Sequence, residues 1–335
     1  MQTRHIIHTI DSHTGGEPTR LIVSGMPLRG SSLLEQRQYM RDNYDHLRSA
    51  LMCEPRGHRG MFGAVMAPAK RPDVDFGIIW IDHDGSYLNM CGHGTIGIGM
   101  TAVECGLVPV IEPITRIRVD MPAGLVVIDV EVAGSRAQRA TFTNVPAFLY
   151  RRAVMVEVEG YGSLPVDISF GGNFFGAVRG EDIGLEVRPE RVPELVHAGL
   201  AIRAAIARQV PVQHPVARHI NSVDLVTIWG PGQAEGAKYK NIHVFSNGSF
   251  DRSPGGTGTS HMMAMLIGRG EMRPDEMIIS EGITGSLFRG RMREPARIGD
   301  IDGFIPEVSG TAHVTGLHQF VIDPKDPLKN GFDIG

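Results

Sequence analysis

The chain has 335 residues, of which 42% are hydrophobic and 21% charged, and its formal net charge is −4. This composition is typical of a globular protein and not of a disordered one, and the length favours two domains over one. The slightly acidic charge argues against a nucleic-acid partner, which normally leaves a basic surface. No apolar run approaches the roughly 20 residues of a membrane-spanning helix, so no membrane association is predicted.

The first residues contain no apolar stretch of the kind found in a secretory signal. The three cysteines, Cys53, Cys91 and Cys105, cannot form a closed disulfide framework. Because free thiols fit a reducing compartment, the sequence predicts a soluble, cytoplasmic protein.

Short β-branched and aliphatic runs, each bounded by turn residues, predict strands. These runs lie at 5–10, 20–23, 76–81, 116–119, 125–132 and 139–143. Helical patterning is found at 32–52, 94–105 and 189–207, and again directly after Gly256. The patterns together predict a mixed α/β chain with many short strands and few helices.

One arrangement occurs twice along the chain. In the first half, a strand-like segment at 84–89 leads into the loop 90–97 (MCGHGTIG), and helical patterning follows. In the second half, a strand at 242–245 leads into the loop 251–260 (DRSPGGTGTS), and a helix follows. Two glycine-rich loops that each open a helix predict two pseudo-symmetric domains facing each other across a cleft.

The loop at 90–97 has the features of a reactive site. A glycine-rich turn at a helix start presents backbone N–H groups and the positive end of the helix dipole, which together bind anions. A thiol at such a place has a lowered pKa, and its thiolate acts as a base or nucleophile near neutral pH; here the thiol is that of Cys91. Gly92 and Gly94 keep the approach open, and His93 is placed to orient the thiol or contact a substrate.

Each of these features also has a structural interpretation. A buried cysteine more often packs than reacts, and the residues alone leave both interpretations of Cys91 open, while Cys53 and Cys105 are interpreted as packing residues. The loop at 251–260 has neither the P-loop lysine nor the context of a dinucleotide fingerprint. No metal site is predicted, because no metal-ligand spacing on one element is found among the histidines at 13, 58, 83, 93, 214, 219, 243 and 261.

Two loops and several shorter segments resemble one enzyme family. The loop 90–97 resembles the first catalytic loop of the proline racemase family, and the loop 251–260 resembles its second. This family includes 4-hydroxyproline 2-epimerases and trans-3-hydroxy-L-proline dehydratases. Further matches lie at 10–20 (IDSHTGGEPTR), 55–58 (PRGH), 61–64 (MFGA) and 170–174 (FGGNF). The resemblance spans nearly the whole chain, which is identified as a member of this family.

The resemblance implies an α/β (α+β) fold of two pseudo-symmetric halves, each a curved sheet around a central helix, as in diaminopimelate epimerase. We expect residues 1–125 with about 295–335 to form the domain that carries Cys91, and residues 126–294 to form the second domain. The implied ligand is a small cyclic amino acid, proline or a hydroxyproline, between the two helix N-termini. No cofactor is implied, and a homodimer is expected because dimers are common among soluble enzymes.

The resemblance also implies a role for individual residues. Cys91 corresponds to the first catalytic thiol, and Asp251 is expected to meet the ring ammonium. The substrate carboxylate is expected to accept hydrogen bonds from the backbone of Gly92, His93, Gly256 and Thr257. Donors arranged around a carboxylate stabilise the enediolate that develops when the α-proton leaves.

The sequence departs from the family pattern at one position. Racemases and epimerases of the family place a second cysteine directly after the Ser-Pro of the second loop, and the dehydratases typically place a threonine there. This chain has Gly255 at that second catalytic position. Inversion of a stereocentre needs an acid on the face opposite the base, and glycine offers no proton donor.

Dehydration requires only one side-chain base at Cα. The sequence therefore predicts cofactor-independent dehydration of trans-3-hydroxy-L-proline to Δ1-pyrroline-2-carboxylate, with Cys91 removing the α-proton and His93 or a water as the acid for the leaving hydroxyl. A 4-hydroxyproline 2-epimerase or proline racemase is the alternative. A catalytically inactive binder of proline-like amino acids is a further alternative, although such a binder would have no need of the thiolate.

Overall fold

The computed structural model describes residues 5–334. Its four α-helices are α1 (Leu33–Met52), α2 (Gly92–Glu104), α3 (Val192–Gln209) and α4 (Gly256–Arg269). Its strands are β1 (His5–Thr14), β2 (Glu17–Ser24), β3 (Phe62–Ala67), β4 (Phe76–Asp82), β5 (Ile114–Met121), β6 (Gly124–Ala133), β7 (Arg136–Thr143), β8 (Phe148–Val158), β9 (Gly162–Phe170), β10 (Phe174–Arg179), β11 (Val223–Pro231), β12 (Ala237–Phe245), β13 (Phe250–Asp251), β14 (Met277–Glu281), β15 (Leu287–Ile298), β16 (Ile301–Gly310) and β17 (Ala312–Ile322). Short 3₁₀ turns lie at Gly180–Ile183 and Pro189–Arg191.

The predicted helices and the six strands predicted in the first part of the chain are confirmed, with ends that move by a few residues. The segment 84–89 is the exception, because the prediction of a strand there was wrong. Gly85 adopts a φ of +93°, and the Ser86 N–H donates to the Asp84 carboxylate at 2.8 Å. The Asp-Gly pair therefore forms a turn after β4, as Asx and glycine chemistry favours. Within residues 5–334, no helix is both long and apolar enough to cross a membrane.

The chain forms two compact units. Among the described residues, the first unit runs to Phe142 and resumes at Thr311, and the second comprises Thr143–Gly310. These divisions lie about 16 residues further along the chain than the predicted ones near 125 and 295. The hydrogen-bond pattern explains the difference, since β6 and β7 continue an antiparallel meander from β5, and β15 and β16 continue one from β14.

In the first unit the strands pair in the order β17-β1-β2-β3-β4-β5-β6-β7. The pairs β17–β1 and β1–β2 are antiparallel, and β2 pairs in parallel with β3 after the crossover through α1. β3–β4 is antiparallel, β4 pairs in parallel with β5 after the crossover through α2, and the last two pairs are antiparallel. The C-terminal strand thus completes the first unit, as the resemblance implies.

The second unit repeats this sequence of pairings in the order β8-β9-β10-β11-β12-β14-β15-β16. β10 pairs in parallel with β11 after α3, and β12 pairs in parallel with β14 after α4. All other neighbours in this order are antiparallel. The two units therefore share one topology, in which β8 has the place of β17, and the predicted pseudo-symmetric mixed α/β fold is confirmed.

Alternation along the strands decides what each face of the first unit's sheet contacts, because successive side chains of a strand point to opposite faces. Ile7 of β1 packs in one core with Leu47 and Leu51 of α1. Ser12 and Thr14 of the same strand lie on the other face against α2, whose residues from Gly92 to Val103 are all buried. The first unit is thus a sheet with α1 outside and α2 as its central helix.

The second unit has the same alternation. Ile242 and Val244 of β12 pack in a core with α3, and Gly199 of α3 approaches Val244 closely. His243, between them, lies on the opposite face against α4. In each unit, therefore, one face of the sheet has polar side chains that lie against the start of that unit's own central helix.

Candidate active site

The start of α2 is built around Cys91, which is the N-cap residue with an extended backbone (φ −143°, ψ 122°). Its Sγ accepts a hydrogen bond from the Gly94 N–H at 3.4 Å, and its carbonyl accepts from the Thr95 hydroxyl at 2.6 Å. Only 8% of the residue is exposed. The thiol thus lies where a helix N-terminus stabilises negative charge on sulfur.

His93 lies beside the thiol. Its Nδ1 is 3.3 Å and its Nε2 3.7 Å from the Cys91 Sγ, and the Phe62 ring packs edge-on against the imidazole at 5.0 Å between centroids. An imidazole at this distance is able to exchange a proton with the thiol, the arrangement that activates cysteine in covalent and acid–base catalysis. Burial of both side chains keeps them in one geometry.

Hydroxyl side chains of the first hairpin hold the start of α2. The Thr14 Oγ1 donates to the His93 carbonyl at 3.0 Å. A Cβ on Gly97 would lie 3.1 Å from Thr14 Oγ1 and 3.5 Å from Thr19 Oγ1, so glycine lets the helix approach the hairpin closely. The matched segment at 10–20 therefore positions the backbone that carries Cys91.

The other two thiols lie elsewhere in the first unit. Cys105 is at the opposite end of α2 from Cys91, and burial together with Glu104 raises the pKa of its thiol. Cys53 is the C-cap residue of α1, and its thiol donates to the His83 carbonyl at 3.5 Å. Their role as packing residues stays a prediction.

The loop before α4 is held by its own polar groups. The Asp251 carboxylate accepts from the Ser253 N–H at 2.8 Å, and the Ser253 hydroxyl accepts from the Gly255 N–H at 3.1 Å. Gly255 is the N-cap residue of α4 and has φ +74° and ψ 126°. Its positive φ lies in the region that L-residues rarely adopt, so glycine suits the backbone at this position.

The first turns of α2 and α4 share one chemical character. Gly92 and His93 open α2, Gly256 and Thr257 open α4, and neither first turn contains an acidic side chain. The first N–H groups of any helix have no acceptor within the helix, so each start is suited to an anion such as a carboxylate.

Two buried histidines, His243 and His261, lie beside the start of α4, and the sequence alone indicates no role for either. The His243 Nε2 lies 2.9 Å from the Pro254 carbonyl, and its Nδ1 lies 2.8 Å from the Thr227 hydroxyl. That hydroxyl is 2.7 Å from the His261 Nε2, and the His261 Nδ1 is 2.9 Å from the Ser169 hydroxyl. The signal in the sequence is a histidine between Ile242 and Val244, in the apolar second half of β12.

These imidazoles make the stability of the protein pH-dependent. Burial lowers the pKa of His261 well below its ordinary value, with help from His243, and burial lowers the pKa of His243 against the opposing effect of Asp251. Below about pH 6.5 the unfolded chain binds protons that the folded chain does not bind. The free energy of unfolding therefore decreases as the pH is lowered below about 6.5, by up to about 1.4 kcal/mol per pH unit for each imidazole. Urea unfolding at pH 7.0 and 5.5 measures this slope, which should be smaller in His261→Gln; an equal slope in the variant contradicts the assignment.

The structure brings Cys91, Gly92 and His93 together at the start of α2. It brings Asp251, Gly255, Gly256 and Thr257 together at the start of α4. The roles implied for them by the resemblance stay predictions. In residues 5–334, no group of three or more His, Cys, Asp or Glu side chains is placed to hold a metal ion.

Comparison with known proteins gives consistent matches over the full length. The family model for proline racemase matches residues 9–333. A proline racemase of Clostridioides difficile is 44% identical over 333 residues, which are 99% of both chains. A 4-hydroxyproline 2-epimerase of Cereibacter sphaeroides is 44% identical over 336 residues, again 99% of both chains.

A solved structure agrees with the sequence matches. The crystal structure of a hydroxyproline epimerase from Agrobacterium vitis with bound trans-4-hydroxy-L-proline superposes with a TM-score of 0.88 at 27% identity. The match covers 98% of this chain and 95% of the epimerase. With the family model and curated relatives in agreement, the chain belongs to the proline racemase family.

Proposed function

We propose that this chain is a cofactor-independent enzyme that removes the α-proton of a cyclic amino acid with the Cys91 thiolate, and that it dehydrates trans-3-hydroxy-L-proline to Δ1-pyrroline-2-carboxylate. The observation that carries the proposal is Gly255 at the N-cap of α4, where the chain has no side-chain acid or base. A Cβ at this position would lie 2.6 Å from the buried His243 ring.

The proposed reaction needs one side-chain base at Cα. The Cys91 thiolate takes the α-proton, and the C–H electron pair moves into the carboxylate to form an enediolate. The pair then returns to form the Cα–C3 double bond as the C3–O bond breaks. The leaving hydroxide takes a proton from His93 or a water and departs as water. The resulting enamine tautomerises to the cyclic imine, so no oxidant or reductant is consumed. The His93 imidazole, 3.3 Å from Sγ, is close enough to the proposed base to serve as this acid.

Binding of the substrate is proposed to use the two helix starts. The backbone N–H groups of Gly92 and His93, and those of Gly256 and Thr257, bind the carboxylate and stabilise its enediolate form. Asp251, 6% exposed, binds the ring ammonium. The proposed ligand is therefore a proline or hydroxyproline, and the homodimer and cytoplasmic location expected from the sequence stay predictions.

The second candidate function is epimerization or racemization. It is favoured by the names of the relatives, since a proline racemase and a 4-hydroxyproline 2-epimerase each share 44% of their residues with this chain. With glycine at position 255, inversion would need a water as the second acid. Binding of proline-like amino acids without catalysis is the remaining alternative.

One experiment separates the three functions. The protein is incubated in heavy water with L-proline, trans-4-hydroxy-L-proline or trans-3-hydroxy-L-proline, and the α-proton is followed by NMR. We expect a pyrroline product from the 3-hydroxy substrate and no inversion of the other two. Loss of the α-proton with inversion would identify an epimerase or racemase and contradict the proposal. Binding of a ligand without exchange in any of the three would identify the inactive binder.

A further inference from the structure

The imidazole of His243 fills the space beside the second helix start. An added Cβ on Gly255 would lie 2.6 Å from its Cδ2 and 2.7 Å from its Nε2, and a Cβ on Gly258 would lie 2.0 Å from Nε2. Distances below about 3 Å are shorter than any stable carbon contact. His243 is 1% exposed, so the ring has no nearby solvent space into which it would move.

Hydrogen bonding fixes the proton on this ring. The Pro254 carbonyl only accepts, so the His243 Nε2 at 2.9 Å must carry the hydrogen and donate it. As a neutral ring, His243 then accepts at Nδ1 from the Thr227 hydroxyl. Thr227 in turn accepts from the His261 Nε2–H, and the His261 Nδ1 accepts from the Ser169 hydroxyl. In this assignment each hydrogen bond from Ser169 to Pro254 has one donor and one acceptor, and the series ends at the Pro254 carbonyl.

Comparison of the two N-cap residues shows what that bond controls. Cys91 and Gly255 have nearly equal ψ, 122° and 126°, but their φ values are −143° and +74°. The angle φ of residue 255 sets the orientation of the peptide that precedes it, and the carbonyl of that peptide belongs to Pro254. The His243 hydrogen bond holds this same carbonyl.

We propose that His243 is a positioning residue that fixes the Pro254 carbonyl, keeps Gly255 at positive φ and excludes any side chain at position 255, which commits the enzyme to acid–base chemistry by one thiol. This inference rests on the proposed function. It also predicts that Gly255→Cys alone, which restores the family's cysteine, does not restore inversion. A cysteine at this position would have an unfavourable positive φ and would clash with the His243 imidazole.

Four variants test the proposal: Gly255→Cys, His243→Val, the double variant, and His243→Gln combined with Gly255→Cys. The readout is the ratio of inversion to α-proton exchange for L-proline and trans-4-hydroxy-L-proline, which a purely structural defect would not raise. We expect no gain of inversion in Gly255→Cys, and a gain of about 10²-fold or more over it in His243→Val/Gly255→Cys. Glutamine retains an N–H donor for the Pro254 carbonyl, so the glutamine double variant should behave like Gly255→Cys.

Two results would overturn the proposal. One is inversion by Gly255→Cys that equals inversion by the valine double variant, and the other is a double variant that folds but gains nothing. If the double variant does not fold, long-range ¹H–¹⁵N spectra of the unaltered protein test the proposal instead. We expect the His243 proton on Nε2, where it is donated to the Pro254 carbonyl. A proton on Nδ1 is incompatible with that hydrogen bond and would overturn the proposal. Inversion by the unaltered protein contradicts the proposed function alone, since the comparison between variants still tests His243.

Discussion

Replacement of Cys91 by serine is expected to lower the rate of α-proton exchange by about 10²- to 10⁴-fold, the usual contribution of a positioned general base. Serine is close in size to cysteine and still accepts the Gly94 N–H that caps α2. A serine hydroxyl is not ionised near neutral pH, whereas a thiol at a helix N-terminus supplies a thiolate. The base is therefore lost while the helix start is retained. The measurement is α-proton exchange in heavy water, followed by NMR.

Cys105→Ser is the matched control, because it makes the same chemical change at the other end of the same helix. We expect the control to exchange at the unaltered rate, and both variants to melt close to the unaltered protein. Exchange by Cys91→Ser at a rate similar to the control would show that Cys91 is not the base. A large fall in melting temperature would instead assign Cys91 a structural role.

The repeat in the sequence predicted two pseudo-symmetric halves, and the family resemblance implied a sheet around a central helix in each. Each glycine-rich loop follows a strand region and opens a helix, and that local pattern survives in α2 and α4. The boundaries between the units were not predictable in the same way. They depend on which strands pair, and the alternation in 125–132 is equally compatible with either unit until β6 is seen to pair with β5 along its length.

The candidate site was predicted only in part for a similar reason. Cys91, Gly92 and His93 are consecutive, so one helix start brings them together. The environment of Gly255 instead depends on His243, which is 12 residues away in the chain and reaches the loop through the β12–β13 pairing. A sequence shows that glycine replaces cysteine or threonine, but only the fold shows that an imidazole occupies the vacated space.

Loss of the Arg20 guanidinium is expected to destabilise the first unit strongly. Its Nε and Nη2 donate to both oxygens of Asp11 at 2.7–3.1 Å, and its Nη1 donates to the carbonyls of Leu51 and Arg56 at 2.6 Å. The residue is 4% exposed. Removal of one partner leaves a buried carboxylate without its main counter-charge, which typically costs about 3–5 kcal/mol. Arg20→Met keeps the apolar stem, so urea unfolding at pH 7 measures mainly the loss of the charge and its hydrogen bonds.

Arg116→Met provides the matched comparison, because Arg116 also pairs with an aspartate through Nε and Nη2, at 2.7 and 2.8 Å. That pair is solvent-exposed, with 57% of the arginine side chain accessible, and exposed pairs contribute little. We expect a nearly unchanged urea midpoint for Arg116→Met and a large fall for Arg20→Met.

In a second step, Asp11→Asn combined with Arg20→Met removes the uncompensated charge and should recover part of the loss. Equal effects of the two arginine variants would show that the buried pair contributes no more than a surface one. The same β1–β2 hairpin carries Thr14, which holds the start of α2, so partial unfolding of Arg20→Met should also reduce α-proton exchange before global unfolding is detected.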